Sequence, residues 1–237
     1  GWNPTMNTGW NEMLYVVYSG LKDSDVTGVS YTGTTSGKLT GDDLTYLVRD
    51  TSAGLRVDIP GVPAGTYSVS VTTAKGTIVQ SGLEVNAQDR SGYAHFNYTA
   101  GVGAYTDDGK LKSNAIVLYV TNDNKDKVSV TSKDGTTVTG IGNILNSAGQ
   151  DIGGGKTSNG GTKPNSNAGI IKKLAEDGTP LVVRIIGDVK APSGLTAYDS
   201  TDLGGSVGDN GYMARMQSGK DVTIEGIGTD ATVNGWG

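Results

Sequence analysis

Thr66-Tyr67-Ser68-Val69-Ser70-Val71-Thr72 alternates without a break. Tyr67, Val69 and Val71 fall on one face and the hydroxyl residues on the other, the pattern of a strand with one buried side. Upstream, Leu55-Arg56-Val57-Asp58-Ile59 repeats the alternation, and Pro60-Gly61-Val62-Pro63-Ala64-Gly65 between the two reads as a turn. Met13 to Tyr18 and Leu44 to Val48 are continuous apolar or aromatic runs, and Ile78-Val79 and Leu83 to Val85 follow. Short strands at roughly 8–12-residue spacing, punctuated by Gly, Pro, Asp and Ser, are the signature of a β-sandwich. Residues 13–96 are therefore expected to form an antiparallel sandwich of immunoglobulin or fibronectin-like type. Residues 1–12, with Trp2 and Trp10 in a polar setting, read as a leader or linker.

Composition agrees with an all-β chain. Glycine supplies 38 of 237 residues, more than twice the usual roughly 7%. Charged residues are 18%, below the usual ~25%. A helical bundle or coiled coil is excluded, and so is collagen, whose glycine recurs every third residue. With no cysteine and one histidine, His95, disulfide scaffolds, zinc–cysteine sites, cysteine nucleophiles and multi-histidine metal sites are excluded within one chain. The net charge is -5. Lys110 with Lys112 and Lys172 with Lys173 are too small to make the basic stripe that nucleic acid requires. No apolar stretch approaches the ~18 residues of a membrane span. No signal peptide is evident, and the opening Gly1-Trp2-Asn3-Pro4 reads as a mature product or a piece of something longer.

Beyond residue 97 the pattern changes. Ile116-Val117-Leu118-Tyr119-Val120 is a continuous apolar strand closed by a polar turn, and Val128 to Val130 follows. Ser147 to Asn167 is mostly Gly, Ser, Asn and Lys with almost nothing apolar, and reads as a long loop or linker. Ile170, Ile171, Leu174 and Ala175 then recur at helical spacing, with Asn167 as a cap and Gly178 and Pro180 as stops. Glu176 and Asp177 sit unfavourably for the helix dipole, so packing must hold this helix. Leu181-Val182-Val183-Arg184-Ile185-Ile186 reads as a strand buried on both faces, as in parallel sheets. Val222-Thr223-Ile224 and Ala231-Thr232-Val233 are two further short strands.

Lys220-Asp221-Val222-Thr223-Ile224-Glu225-Gly226-Ile227-Gly228, running into Ala231-Thr232-Val233-Asn234-Gly235-Trp236-Gly237, resembles the opening coil of a right-handed parallel β-helix. More narrowly it is similar to the first coils of bacterial pectate lyases of polysaccharide lyase family one. There a short helix caps the barrel and an apolar strand follows it, like Leu181 to Val189 here. Asp89 to Phe96 and Gly103 to Lys112 resemble the join between an accessory sandwich and the helix in multidomain clostridial members. The resemblance covers about residues 89–237. It implies that residues 97–237 hold a join, a Gly/Ser/Asn-rich loop, a cap helix at 167–177 and the first coils. A coil cannot bury its own apolar face, so it stacks on the next, and at least about three repeats are usually needed where roughly two or three fit here. The remaining carboxyl-terminal coils of the same protein are thus an expected partner.

The resemblance also implies a secreted or cell-surface bacterial protein acting on polygalacturonate or pectin by β-elimination. Calcium held by carboxylates would acidify the ring proton, and an arginine would remove it. An arginine serves as base only where its site disfavours the charged form. The family's calcium carboxylates and catalytic arginine lie on coils later than the matched passage. None of Arg49, Arg56, Arg90, Arg184 and Arg215 stands in the family's setting beside a proline. No catalytic, substrate-binding or metal residue carries over, and calcium is implied with its ligands beyond residue 237.

Other residues carry weaker signals. Asp107 and Asp108 in a Gly-bounded loop suit calcium, although a solvated turn is the plainer reading. Asp123, Asn124 and Asp126 resemble part of a calcium loop but lack its glycine and distant glutamate. Asp199, Asp202 and Asp209 lie in a Gly-rich loop and read as solvent-facing. His95, beside Tyr93 and Phe96, reads as a packed residue between domains. Gly153-Gly154-Gly155-Lys156-Thr157 lacks the spacing and context of a phosphate loop. Trp236 reads as structural, and Trp2 and Trp10 as sugar platforms or residues ordered by a neighbouring module. The competing function is a non-catalytic carbohydrate-binding or adhesin-like stalk module, since a sandwich does not decide function.

Overall fold

The computed structural model describes residues 3–10, 12–89, 103–146, 155–156, 162–163, 169–198, 211–214, 216 and 219–237. The chain is mostly β-sheet, arranged in several sheets. It divides into two compact units, Gly1–Lys112 and Ser113–Gly237. The division falls after the 103–112 segment rather than at residue 96, so that segment belongs with the first unit.

The first unit contains β1 (Asn3–Trp10), β2 (Met13–Ser19), a 3-10 turn (Asp23–Asp25), β3 (Val26–Gly33) and β4 (Gly37–Leu39). Helix α1 (Asp42–Leu47) is followed by β5 (Val48–Thr51), β6 (Gly54–Pro60), β7 (Gly65–Thr73) and β8 (Gly76–Val85). They form two four-stranded antiparallel sheets, β1-β2-β6-β5 and β4-β3-β7-β8. Each sheet has a buried apolar face: Leu14, Val16, Tyr18, Leu55, Val57 and Ile59 on the first, and Val29, Tyr67, Val69, Val71 and Leu83 on the second. Burying each such side chain contributes roughly 1.5–3 kcal/mol.

Three expectations change here. Residues 3–10, read as a leader, form β1 and pair with β2 from Asn3↔Ser19 to Trp10↔Met13. Leu44 to Val48 is the end of α1 and the start of β5, not one strand. Asp42 and Asp43 favour a helix N-terminus, and a short apolar run does not distinguish helix from strand. Ile78-Val79 and Leu83 to Val85 belong to one strand, β8, whose pairing with β7 is shifted by an irregularity between Tyr67 and Val69.

The second unit begins with β9 (Ile116–Val120), the hairpin β10 (Ser129–Thr131) and β11 (Thr137–Thr139), and α2 (Ile141–Leu145). Strands β12 (Gly155–Lys156) and β13 (Thr162–Lys163) pair inside the stretch read as a loop. Then come α3 (Ile170–Asp177), β14 (Leu181–Ile185), β15 (Asp188–Lys190), β16 (Thr196–Tyr198), β17 (Gly211–Met213), β18 (Val222–Gly226) and β19 (Thr232–Asn234). β9, β14 and β18 form a parallel ladder without a register slip: Ile116, Leu181 and Val222 are level, and so on to Val120, Ile185 and Gly226. A second parallel pair joins β15 to β19, and Tyr212 bridges Trp236 in parallel.

The core of this unit gathers Leu118 and Val120 of β9, Val130 of β10, Ile141, Ile144 and Leu145 of α2, and Ile170, Ile171 and Leu174 of α3. Leu181, Val183, Ile185 and Val189 complete it. Helix α3 starts after Gly169, while Asn167, the expected cap, lies outside the described residues. It ends as expected at Gly178, whose φ of 66° is a left-handed conformation costing other residues roughly 1–2 kcal/mol. The two edges of the ladder differ. Leu118 and Val120 on β9 are buried, whereas Ile224 on β18 is 48% exposed; in the separate β15–β19 pair, Val233 on β19 is 44% exposed.

Candidate functional site

The parallel ladder has two sides. Leu181, Val183 and Ile185 enter the core, so Val182 and Arg184 point the other way. Register stacks Tyr119, Arg184 and Glu225 in one column across β9, β14 and β18. Arg184 Nε donates to Glu225 Oε1 at 2.9 Å, and Arg184 Nη1 donates to the Tyr119 hydroxyl oxygen at 2.7 Å. The guanidinium carbon lies 5.5 Å from the Tyr119 ring centroid. Arg184 is only 4% exposed. A carboxylate and a phenol oxygen stabilise its charged form, the reverse of what a proton-abstracting arginine needs. The column fastens three strands together; it does not assemble an acid–base pair.

A second charged group lies in the first unit. Arg49 and Arg56 are directly opposite across β5 and β6, and Asp58 bridges them. Arg49 Nη1 donates to Asp58 Oδ2 at 2.8 Å, while Arg56 donates through Nε and Nη2 at 3.0 and 2.9 Å. Arg56 also lies 4.3 Å from the Tyr15 ring centroid. Asp58 is 0% exposed. The alternating polar face of β6 is thus buried as well as its apolar face. The two opposed cations are compatible because one carboxylate lies between them.

The sequence candidates separate on inspection. Asp108 accepts from Thr106 Oγ1 and lies 3.5 Å from Lys110, and the Thr106 hydroxyl holds its carboxyl below the usual range. The turn itself is closed by the Gly109 amide, which donates to the Thr106 carbonyl, and Asp108 lies exposed within it. Asn124 Oδ1 accepts the Thr121 amide and its Nδ2 donates to the Tyr119 carbonyl. Asp126 accepts the Ser193 amide. These side chains hold the turn and a neighbouring loop. No group of three or more His, Cys, Asp or Glu is placed to hold a metal among the described residues.

Trp236 donates through Nε1 to the Val189 carbonyl at 2.9 Å and packs against the core, a structural position. Gly155 and Lys156 lie in β12 of a two-stranded antiparallel pair, not between a strand and a helix. Trp2, Arg90, Tyr93, His95, Phe96, Gly153, Gly154, Thr157, Asp199, Asp202, Asp209 and Arg215 lie outside the described residues, and Trp10 is described by its backbone alone.

Sequence reasoning weighed Arg184 alone and overlooked its grouping with Tyr119 and Glu225. The signal existed: placed one under another, Ile116 to Val120, Leu181 to Ile185 and Val222 to Gly226 put these three at the same fourth position. It also overlooked a cleft of about 270 Å³ in the first unit, lined by Asp23, Ser24, Val26, Leu44, Thr45 and Val48. No helix among the described residues is long and apolar enough to cross a membrane. No family model, curated protein or solved structure matches the chain.

Proposed function

We propose that this chain is the amino-terminal portion of a secreted bacterial pectate lyase. Its first unit is an accessory β-sandwich of immunoglobulin or fibronectin-like type. Its second is the capped opening of a right-handed parallel β-helix. The whole protein cleaves polygalacturonate by calcium-assisted β-elimination. The reading rests on the closing motif Val222 to Gly237 and on one observation above others, the slip-free parallel stacking of β9, β14 and β18. Helix-on-strand packing at α2 and α3 supports the cap, and the right-handed sense follows the general preference of parallel crossovers. Exposed Ile224 and Val233 at the opposite edge support further coils of the same protein as their cover.

On this reading the 237 residues are inactive alone. Arg184 is tied to Glu225 and Tyr119, and no group of three or more described acidic or metal-ligating residues gathers to hold a metal, so no step of the reaction is assigned to them. The test compares this chain with the longer native protein on polygalacturonate, with calcium and with chelator. Unsaturated uronide released only by the longer protein, and only with calcium, supports the proposal. No such product from any length of the protein overturns it. The same tied-off charges favour a second reading, a carbohydrate-binding or stalk module. Retardation in a polygalacturonate gel without product from the longer protein would select that alternative.

A further inference from the structure

The first unit carries a cleft unrelated to the ladder. It lies between the 3-10 turn Asp23–Asp25 and α1, at the start of β5, and has a volume of about 270 Å³. Val48 is buried and Val26 and Leu44 are half-buried, so the lining offers an apolar surface. Asp23, Ser24 and Thr45 supply the polar part. The turn is anchored, because the Asp23 amide donates to Asp50 Oδ1 at 2.8 Å and Asp25 Oδ2 accepts the Lys22 amide at 2.9 Å. The Thr45 hydroxyl is already engaged with the Gly41 carbonyl. The Asp23 carboxylate meets no hydrogen-bonding or ion-pairing partner among the described residues.

The charges around the cleft are predominantly acidic. Asp25, Asp42, Asp43 and Asp50 belong to the elements that frame it, against Lys22 and Arg49, and Arg49 is paired with Asp58. One-signed clefts with apolar walls concentrate the opposite charge. An anionic uronate chain has the wrong charge for it. A flexible aliphatic stem carrying a cation suits its charge and its walls: its methylenes cover apolar surface while its head stays at a wet carboxylate.

We propose that this cleft binds a primary alkylammonium group, with its methylenes on Val26, Leu44 and Val48 and its ammonium on the Asp23 carboxylate. That chemistry belongs to a lysine side chain of a partner polypeptide and to free aliphatic amines. The inference stands independently of the lyase reading.

The test is an amide NMR titration of the chain with Nα-acetyl-lysine methylamide, n-butylammonium and the neutral Nα-acetyl-norleucine methylamide. Shifts confined to Asp23–Val26 and Leu44–Val48 are expected for both amines, with Kd of about 1 mM. Norleucine is expected to bind at least about tenfold more weakly, as is lysine to Asp23→Asn. Tighter binding of the lysine derivative than of butylammonium identifies a polypeptide as the source, and the reverse order a free amine. Leu44→Gln weakens both amines if the stem lies on the apolar wall. An unchanged spectrum away from the cleft verifies that each variant is folded. Equal binding of lysine and norleucine, an undiminished affinity in Asp23→Asn, or no shifts at the cleft overturns the proposal.

Discussion

Lys133 Nζ donates to the Asp177 carbonyl oxygen at 2.7 Å, and the Lys133 amide donates to the Asp177 carboxylate at 2.7 Å. One residue at the tip of the β10–β11 hairpin thereby satisfies an open carbonyl at the end of α3 and offsets an acid misplaced against the helix dipole. Packing of Ile170, Ile171 and Leu174 holds the other face of the helix.

Replacing Lys133 tests that relationship. Lys133→Met removes the side-chain bond and the cation but leaves the amide contact. A loss of about 0.5–1 kcal/mol is expected, read as faster amide exchange at the last turn of α3. Exchange unchanged there, with the rest of the fold intact, counts against the cap.

Asp134, beside it, pairs with Lys173 and accepts the Ser132 hydroxyl, and these hold its carboxyl well below the usual range. A depressed folded value means the stabilisation is present above the unfolded value near 4 and fades as pH falls through the lower folded one. Asp134→Asn is therefore expected to lower Tm slightly at pH 7 in low salt, with the difference from wild type shrinking below about pH 4. The pair is exposed, so added salt narrows the gap too. A difference that grows toward acid refutes the assignment.

Asp58 is the most consequential carboxylate of the first unit. Asp58→Asn leaves two buried guanidinium groups without their shared charge. A destabilisation of about 3–5 kcal/mol is expected in urea unfolding followed by Tyr fluorescence. Replacing Arg49, Arg56 and Asp58 together with apolar residues of similar size is expected to cost less than the single change, because no charge is then stranded. Equal losses in the two proteins contradict the role given to Asp58.

The ladder column yields a double-mutant cycle. Arg184→Met and Glu225→Gln are expected to couple by about 1–3 kcal/mol, since each removes a partner of the same charge-assisted bond. Arg184→Met alone also removes the Arg184 bond to the Tyr119 hydroxyl, visible as a shifted tyrosine ring signal. Additive losses indicate that the column is not a connected unit.

The reading of the two units from sequence succeeded and failed for different reasons. Alternation at Tyr67, Val69 and Val71 marked a half-buried strand because side-chain period is a local property. Leu44 to Val48 misled because five apolar or neutral residues satisfy a helix turn as well as a strand. Residues 3–10 looked like a leader because β1 earns its place through backbone pairing with β2, which polar side chains do not advertise. The alternation at Arg56 and Asp58 gave no sign of their burial, because nothing local reveals that Arg49 lies opposite. The calcium candidates Asp123, Asn124 and Asp126 had the right residue types, but the Asn124 oxygen serves the turn and the Asp126 oxygen the Ser193 amide.

By itself the sequence determined what depends on neighbours along the chain: period-two strands, the apolar runs at 116–120 and 181–185, the stop at Gly178, and the exclusion of thiol and multi-histidine chemistry. Only tertiary structure decided which strands lie level, that Tyr119, Arg184 and Glu225 share a column, that Lys133 closes α3 from 44 residues away, and that a cleft opens beside Asp23. The physical reason is range. Backbone conformation answers to a few adjacent residues, whereas register, desolvation of charge and the shape of a cavity are set by segments that meet only after the chain has folded.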